Sequence, residues 1–142
     1  MDTMQAGQEP VEAFLDRIRC AWDAGDAQAY GEQFAEDASY VIFLGEAIIG
    51  RDDIATTHHD VFTKWQRGTR MVVKPIRISP VDAHTVVVVT IGGIGKGSRI
   101  GFDKFQTYVL RDRDGRWECV AFQNTEMSRA AQKAHRDAAV VD

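Results

Sequence analysis

Around Gln66-Arg67-Gly68-Thr69 the apolar residues of this chain stop recurring at helical spacing and begin to alternate, and that change restricts it to a fold with helices first and strands after. Upstream, Glu9-Pro10 opens a helix with proline in its first turn, and Val11, Phe14, Leu15, Ile18 and Trp22 form one apolar stripe that stops at Gly25. Asp26 caps a short second helix, Ala27 to Phe34, whose Tyr30 and Phe34 lie four apart. Tyr40 to Leu44 reads as a buried strand ending at Gly45, and Ala47-Ile48-Ile49 as a brief second strand. A third helix is expected from about Asp52 to Trp65. Downstream, Arg70 to Val81 alternates in part but contains Pro75 and Pro80, as an edge or bulged strand does. Thr85 to Ile91 is apolar on both faces and reads as an interior strand covered on each side. Asp103 to Arg111 and Arg116 to Thr125 flank Asp112-Arg113-Asp114-Gly115, a hairpin turn. The expectation is an α+β domain, three N-terminal helices packed on a mostly antiparallel sheet.

The chain of 142 residues, 44% of them hydrophobic, has enough apolar material for one core and too little length for two ordinary domains. A polar tail (1–8), a core (9–127) and an alanine-rich, charged C-terminal tail or helix (128–142) divide it. Seventeen basic and 21 acidic side chains are interspersed, so no basic stripe awaits a phosphate backbone and nucleic acid is not an expected partner. The apolar runs are far shorter than a membrane helix needs, and the acidic, polar start lacks the pattern of a secretory signal, which together suggest a cytoplasmic protein.

Cys20 and Cys119 are far apart with no CxxC spacing, so neither zinc nor a redox pair is expected and no metal site is assigned. Cys119 reads as a small buried hydrophobe; Cys20 faces either solvent or a second packing surface. The run Gly92-Gly93-Ile94-Gly95-Lys96-Gly97-Ser98 has a strand rather than a helix after it and lacks phosphate-loop spacing. It is read as a flexible hairpin loop, one use of which is a mobile lip over a pocket.

Chemistry, if present, centres on the third helix. Ile54, His58, Val61, Phe62 and Trp65 share its apolar face, while His59 and Asp60 turn away. An inward imidazole is either satisfied by neighbours in a packed core or faces a cavity where it moves protons near neutral pH.

Several strings, in order, carry a resemblance: Ala21-Trp22-Asp23-Ala24-Gly25-Asp26; Phe34-Ala35-Glu36-Asp37-Ala38; Gly50-Arg51 with Ile54 and His58; Asp114-Gly115-Arg116-Trp117; and Ala121-Phe122-Gln123-Asn124-Thr125. Across residues 9–127 the chain resembles the SgcJ/EcaC family, in the SnoaL-like group of the nuclear transport factor 2-like superfamily. The resemblance implies three helices closing a strongly curved sheet into a cone with an internal apolar pocket open at one end. It also implies a range of roles, from ketosteroid isomerases, scytalone dehydratases and polyketide cyclases to binding modules without chemistry. Laid over the isomerases, their catalytic aspartate falls at Ile42, their helix-one tyrosine near Ile18, and their second acid near Lys104 to Thr107, where no carboxylate stands. Their apparatus is missing, whereas His58 matches the SgcJ/EcaC histidine of helix three. Nothing resembles a nicotinamide or flavin site, and no cofactor is expected.

His58 is therefore the candidate acid or base, with Asp103 either the group that would orient its ring, if the two converge, or a surface carboxylate beside Lys104. Tyr40 and Tyr108 are hydroxyl donors or core residues; Trp22, Tyr30 and Trp117 are apolar wall, and Phe62 is placed at the pocket with Ile42, which stands in place of a polar group. Gln123 and Asn124 point to opposite faces, so one alone can reach the pocket, and Asn124 has the simpler role of pinning a strand end. Asp37 reads as a turn or cap residue, and Arg51, misplaced for the helix dipole, as an ion-pair partner of a carboxylate such as Asp37 or Glu46. Two functions fit. One is a cofactor-independent isomerase, dehydratase or cyclase acting on an apolar, polyketide-like substrate. The other is a non-catalytic ligand-binding or accessory module; in either case an exposed sheet face, long and rich in Tyr, Val and Phe, suits a homodimer.

Overall fold

The computed structural model describes residues 7–135. Helix α1 (Gln8–Ala24) buries Val11, Phe14, Leu15, Ile18, Ala21 and Trp22, the expected stripe, and ends where Gly25 takes φ 64°. That left-handed residue and the next return their N–H groups to Trp22 and Ala21, at 2.9 Å each, and satisfy two carbonyls of the last turn. Asp26 caps α2 (Ala27–Gly31), accepting from the Ala29 N–H at 3.0 Å. This helix is shorter than expected. A side chain at Gly31 would collide with Ala55 of the third helix, so the two backbones meet there and Phe34 begins a strand.

Strand β1 (Phe34–Ile42) thus starts six residues before Tyr40, and Asp37 is an exposed residue within it rather than a cap. The alternation fails at Glu36-Asp37 because β1 bulges: Phe34 pairs with Cys119 and Ser39 with Ala121, leaving extra residues on the β1 side. After β2 (Glu46–Ile49) comes α3 (Arg51–Asp60), which buries Ile54 and His58. Its last turn, Val61–Trp65, is a π-helix, with Gln66 donating to the Val61 carbonyl five residues back at 2.7 Å. The widened turn rotates Trp65 off the apolar face and into solvent, 68% exposed, while Phe62 stays buried. The expected five-residue face therefore loses its last member.

The strands β3 (Arg70–Asp82), β4 (Thr85–Gly95), β5 (Lys104–Arg113) and β6 (Arg116–Glu126) form the antiparallel meander. Six strands make one curved sheet in the order β2-β1-β6-β5-β4-β3, mixed because β1 runs parallel to β6. β3 is an edge strand, as its prolines required, with register shifts beside Pro75 and Pro80. The Gly92–Ser98 segment is a hairpin loop only in its second half. Gly92 and Gly93 are buried in β4, where added side chains would meet the Gln106 side chain and the Gly101 carbonyl oxygen. Asp114 (φ 55°) and Gly115 (φ 86°) make the β5–β6 turn as expected. A short helix α4 (Arg129–Ala134), capped by Ser128, follows the sheet. Residues 1–6 of the expected polar tail and 136–142 of the expected C-terminal helix lie outside the described residues.

Helices α1 to α3 cover one face of the sheet, and α4 with the 96–103 loop packs on the other, beside Ile91 and Phe105. The main core joins the stripe of α1 and Tyr30, Ile54 and Phe62 to Phe34, Tyr40, Val86, Val88, Tyr108, Leu110 and Phe122 of the sheet. A second, smaller core (Val72, Ile91, Ile100, Phe102, Met127) lies where the 96–103 loop folds back. Each fully buried large side chain contributes about 2–3 kcal/mol through removal of apolar area from water, so the main core dominates stability. Among the described residues no helix is long and apolar enough to cross a membrane.

Candidate functional site

His58 is 3% exposed, inside the main core. Four rings surround it: Tyr30, Tyr40, Phe62 and Trp22, with centroids 4.3, 5.2, 5.7 and 5.8 Å from its own. Its Nδ1 lies 2.8 Å from the Ile54 carbonyl oxygen one turn back, and its Nε2 3.1 Å from the Tyr40 hydroxyl. A carbonyl can only accept, so Nδ1 carries the proton and Nε2 accepts from Tyr40. The Tyr40 oxygen in turn lies 2.8 Å from the Tyr30 hydroxyl, which donates to it. The chain of donors Tyr30 to Tyr40 to His58 to Ile54 is complete, and no imidazole nitrogen is left for a substrate.

The electrostatics keep these protons in place. Burial lowers the His58 pKa to about 4, against a smaller opposing effect of the Ile54 hydrogen bond, so the ring is neutral at pH 7. Burial also pushes both the Tyr30 and the Tyr40 phenols up, well away from neutrality. A weak base linked to a very weak acid is a poor proton relay, because efficient general acid–base groups titrate near the working pH.

The other expected site residues separate into groups. Trp22, Tyr40 and Phe62 do meet His58, and Trp22 also spends its indole N–H on the Thr69 hydroxyl at 3.0 Å. Tyr108 is 1% exposed in the same core, joined to Tyr40 through the Phe122 ring, and Ile42 packs at the margin. Asp103 does not orient His58: it precedes β5, its Oδ2 pairs with Lys104 at 3.0 Å, and its Oδ1 is buried without a hydrogen-bond partner. The carboxylate stays with the adjacent lysine because the return of the 96–103 loop fixes it there, its N–H donating to Gly92 O and its carbonyl accepting from Met127. Gln123 is exposed, and Asn124 pins the β1–β2 turn by accepting from the Phe43 N–H at 2.8 Å, so neither hydrogen-bonds to the His58 group. Trp117, half-buried, packs beside the main core and lines a surface cleft.

Three features were not anticipated. Tyr30, read as wall, supplies the end of the hydrogen-bond chain. Thr90 and Gln106 form a second buried polar pair, Thr90 donating to Gln106 Oε1 at 2.7 Å, on the face of the sheet that carries Tyr108. Arg51 pairs not with Asp37 or Glu46 but with buried Glu118 of β6 at 3.4 Å, and donates to the Phe34 carbonyl at 2.8 Å. Arg111 and Arg113 approach the same carboxylate at 3.6 Å each, and Arg111 is its cross-strand neighbour. An alternation count places Glu118 on the face opposite Cys119, but nothing in the sequence brings Arg51 to it.

Among the described residues no group of three metal-binding side chains occurs. Clefts indent the surface among the described residues, two of them as follows. One, of about 320 Å³, is lined by Arg17, Gln33, Arg116, Trp117 and their neighbours; the other, of about 390 Å³, lies between the 101–102 segment and α4. Neither is lined by His58.

Residues 11–124 match the SnoaL-like domain over most of the chain. The chain belongs to the SnoaL-like domain family. Solved structures share the fold. A protein of unknown function with a cystatin-like fold from Nostoc punctiforme is 22% identical, covers 95% of this chain and 86% of its own, and has a TM-score of 0.80. An uncharacterized cystatin-like protein from Caulobacter vibrioides is 18% identical over 90% and 94%, with a TM-score of 0.77. A ketosteroid isomerase-like protein from Erwinia carotovora atroseptica is 16% identical over 86% and 97%, with a TM-score of 0.68. No curated protein sequence matches this SnoaL-like chain.

Proposed function

We propose that this SnoaL-like protein is a non-catalytic binding or accessory module, placed more finely in the SgcJ/EcaC group, that associates with a second copy through its sheet. The observation that carries this reading is the closed hydrogen-bond chain: both nitrogens of His58 are spent inside a ring of aromatic side chains. A catalytic imidazole needs a nitrogen aimed at space a substrate can fill. Self-association is supported by the part of the middle strands that lies beyond α4 on the face away from α1 to α3, where Val87, Val109 and Ala121 are cross-strand neighbours and remain half-buried. The tyrosines expected on that face point into the core instead.

A second reading, an acid–base isomerase, dehydratase or cyclase for an apolar polyketide-like substrate, is favoured by one observation. Phe62, which packs against the imidazole, sits in the π-turn, and such turns recur at functional sites. It requires Trp22 and Phe62 to swing outward and admit a substrate to Tyr40 and His58. Incubation of the wild type with a β,γ-unsaturated ketosteroid and with a hydroxylated, dehydratable naphthalenone distinguishes the two readings. The module reading expects no turnover, together with a less stable fold in Tyr40→Phe. Turnover by the wild type that disappears in a folded His58→Gln would replace it with the enzyme reading.

A further inference from the structure

Among the described residues, five arginines of this protein meet carboxylates: Arg19 pairs with Asp16 and Asp23, Arg70 with Asp23, and Arg51, Arg111 and Arg113 with Glu118. Arg17 and Arg116, which line one cleft together, have neutral partners instead. Arg17 of α1 donates to Gln33 Oε1 at 2.7 Å and to the Trp117 carbonyl at 3.0 Å; Arg116 of β6 donates to the Glu32 carbonyl at 2.8 Å. All three acceptors are neutral, and among the described residues neither guanidinium has a carboxylate within ion-pair distance.

The chain has 21 acidic side chains against 17 basic, so two like charges together without an acid run against its composition. Arg116 adds to burial in lowering the Arg17 pKa, which is the mark of an unscreened neighbour. The hydrogen bonds to carbonyls hold both groups in place while leaving other N–H donors unspent, since a guanidinium carries five. The cleft between them has an apolar lining of Pro10, Ala13 and half-buried Trp117, and Gly115 presents no side chain at its rim. Its volume of about 320 Å³ is at the lower end of the range for small-molecule sites.

We propose that this cleft binds a small organic carboxylate with a flat apolar body, the carboxylate held by Arg17 and Arg116 and the body lying against Trp117 and Pro10. Guanidinium groups suit carboxylates through paired N–H donors, and an indole suits a planar hydrocarbon. The site lies at the junction of α1 with the β5–β6 turn, apart from His58. It rests on the binding-module reading only in giving that module a ligand, and it survives if that reading fails.

Titration of the full chain with 2-naphthoate, followed by amide NMR shifts, tests it, with neutral 2-naphthamide and inorganic phosphate as controls. The expected result is saturable 1:1 binding with shifts centred on Gln33, Gly115 and Arg116, and affinity at least about tenfold lower for the amide and for Arg116→Gln. Arg17 also ties α1 to β6, so Arg17→Gln can loosen the fold; Arg116→Gln, which removes one bond to a loop carbonyl, keeps the test decisive. Absence of saturable binding at millimolar naphthoate, shifts centred elsewhere, equal affinity for the amide, or equal affinity in Arg116→Gln would overturn the proposal. Phosphate binding as tightly as naphthoate would overturn the organic-ligand assignment. None of these outcomes depends on the ketosteroid and naphthalenone assays, so the two proposals fail separately.

Discussion

A neutral, enclosed His58 ties stability to pH in a definite direction. Its folded pKa of about 4 lies below the ordinary 6.5, so the unfolded chain binds the proton first as pH falls. The stabilisation is complete above pH 6.5, declines between 6.5 and about 4, and is constant below that. A shift of this size corresponds to about 3 kcal/mol. Chemical denaturation of wild type and His58→Gln across pH 4 to 8 should show the wild type losing about that much more than the variant on the acid limb. Parallel pH profiles would mean that the ring is hydrated in the folded protein. The sequence could say that His58 points inward, because helical periodicity reports direction. It could not report that Tyr30 and Tyr40, from two different elements, would close on the ring, since that is decided by how α2 and β1 pack on α3.

Long, periodic elements were legible and their irregular joints were not. Helix α1, the interior position of β4 and the β5–β6 turn follow from one-dimensional patterns that their own residues carry. The early start of β1, the π-turn after Asp60 and the burial of Gly92-Gly93 depend on neighbours: β6, the surface over His58, and the returning 101–103 segment. The two glycine environments in one hairpin make a test. Gly93→Ala places a methyl against the Gly101 carbonyl, whereas Gly97→Ala meets nothing within 4 Å and is strained only by its φ of 87°. Thermal or urea unfolding should show Gly97→Ala costing about 1 kcal/mol and Gly93→Ala more, about 2–3 kcal/mol. The reverse order would mean that the 101–103 segment does not lie over β4 in solution.

Across the whole molecule, the asymmetry of the sheet decides how copies can meet. One face carries α1 to α3; on the other, beyond α4, the middle strands leave a shallow apolar strip around half-buried Val87, Val89 and Val109, so β4, expected to be covered on each side, is covered there on one side alone. The interface proposed above predicts a dimer in sedimentation equilibrium at micromolar concentration and a monomer for Val109→Glu with unchanged far-ultraviolet circular dichroism. A dimer that persists in Val109→Glu would move the interface to the sheet edges, where Leu44, Ile49 and Val81 are exposed. The SnoaL-like grouping was legible because short strings are spread in order along nearly the whole chain, and the SnoaL-like domain match over residues 11–124 agrees with that spread. A pocket was harder to read, because whether a curved sheet encloses space depends on the volumes of rings contributed by distant segments. Here Trp22, Tyr30, Phe62 and Phe122 occupy the interior.

The parallel ladder between β1 and β6 joins Phe34 to Cys119 and Val41 to Gln123. During synthesis, then, β1 leaves the ribosome well before β6 and lacks one of its two strand partners until β6 follows. Over that interval Phe34 and Tyr40 are without the Cys119 and Phe122 neighbours that the ladder gives them, so the nascent chain carries an open strand edge that has to be shielded from other chains.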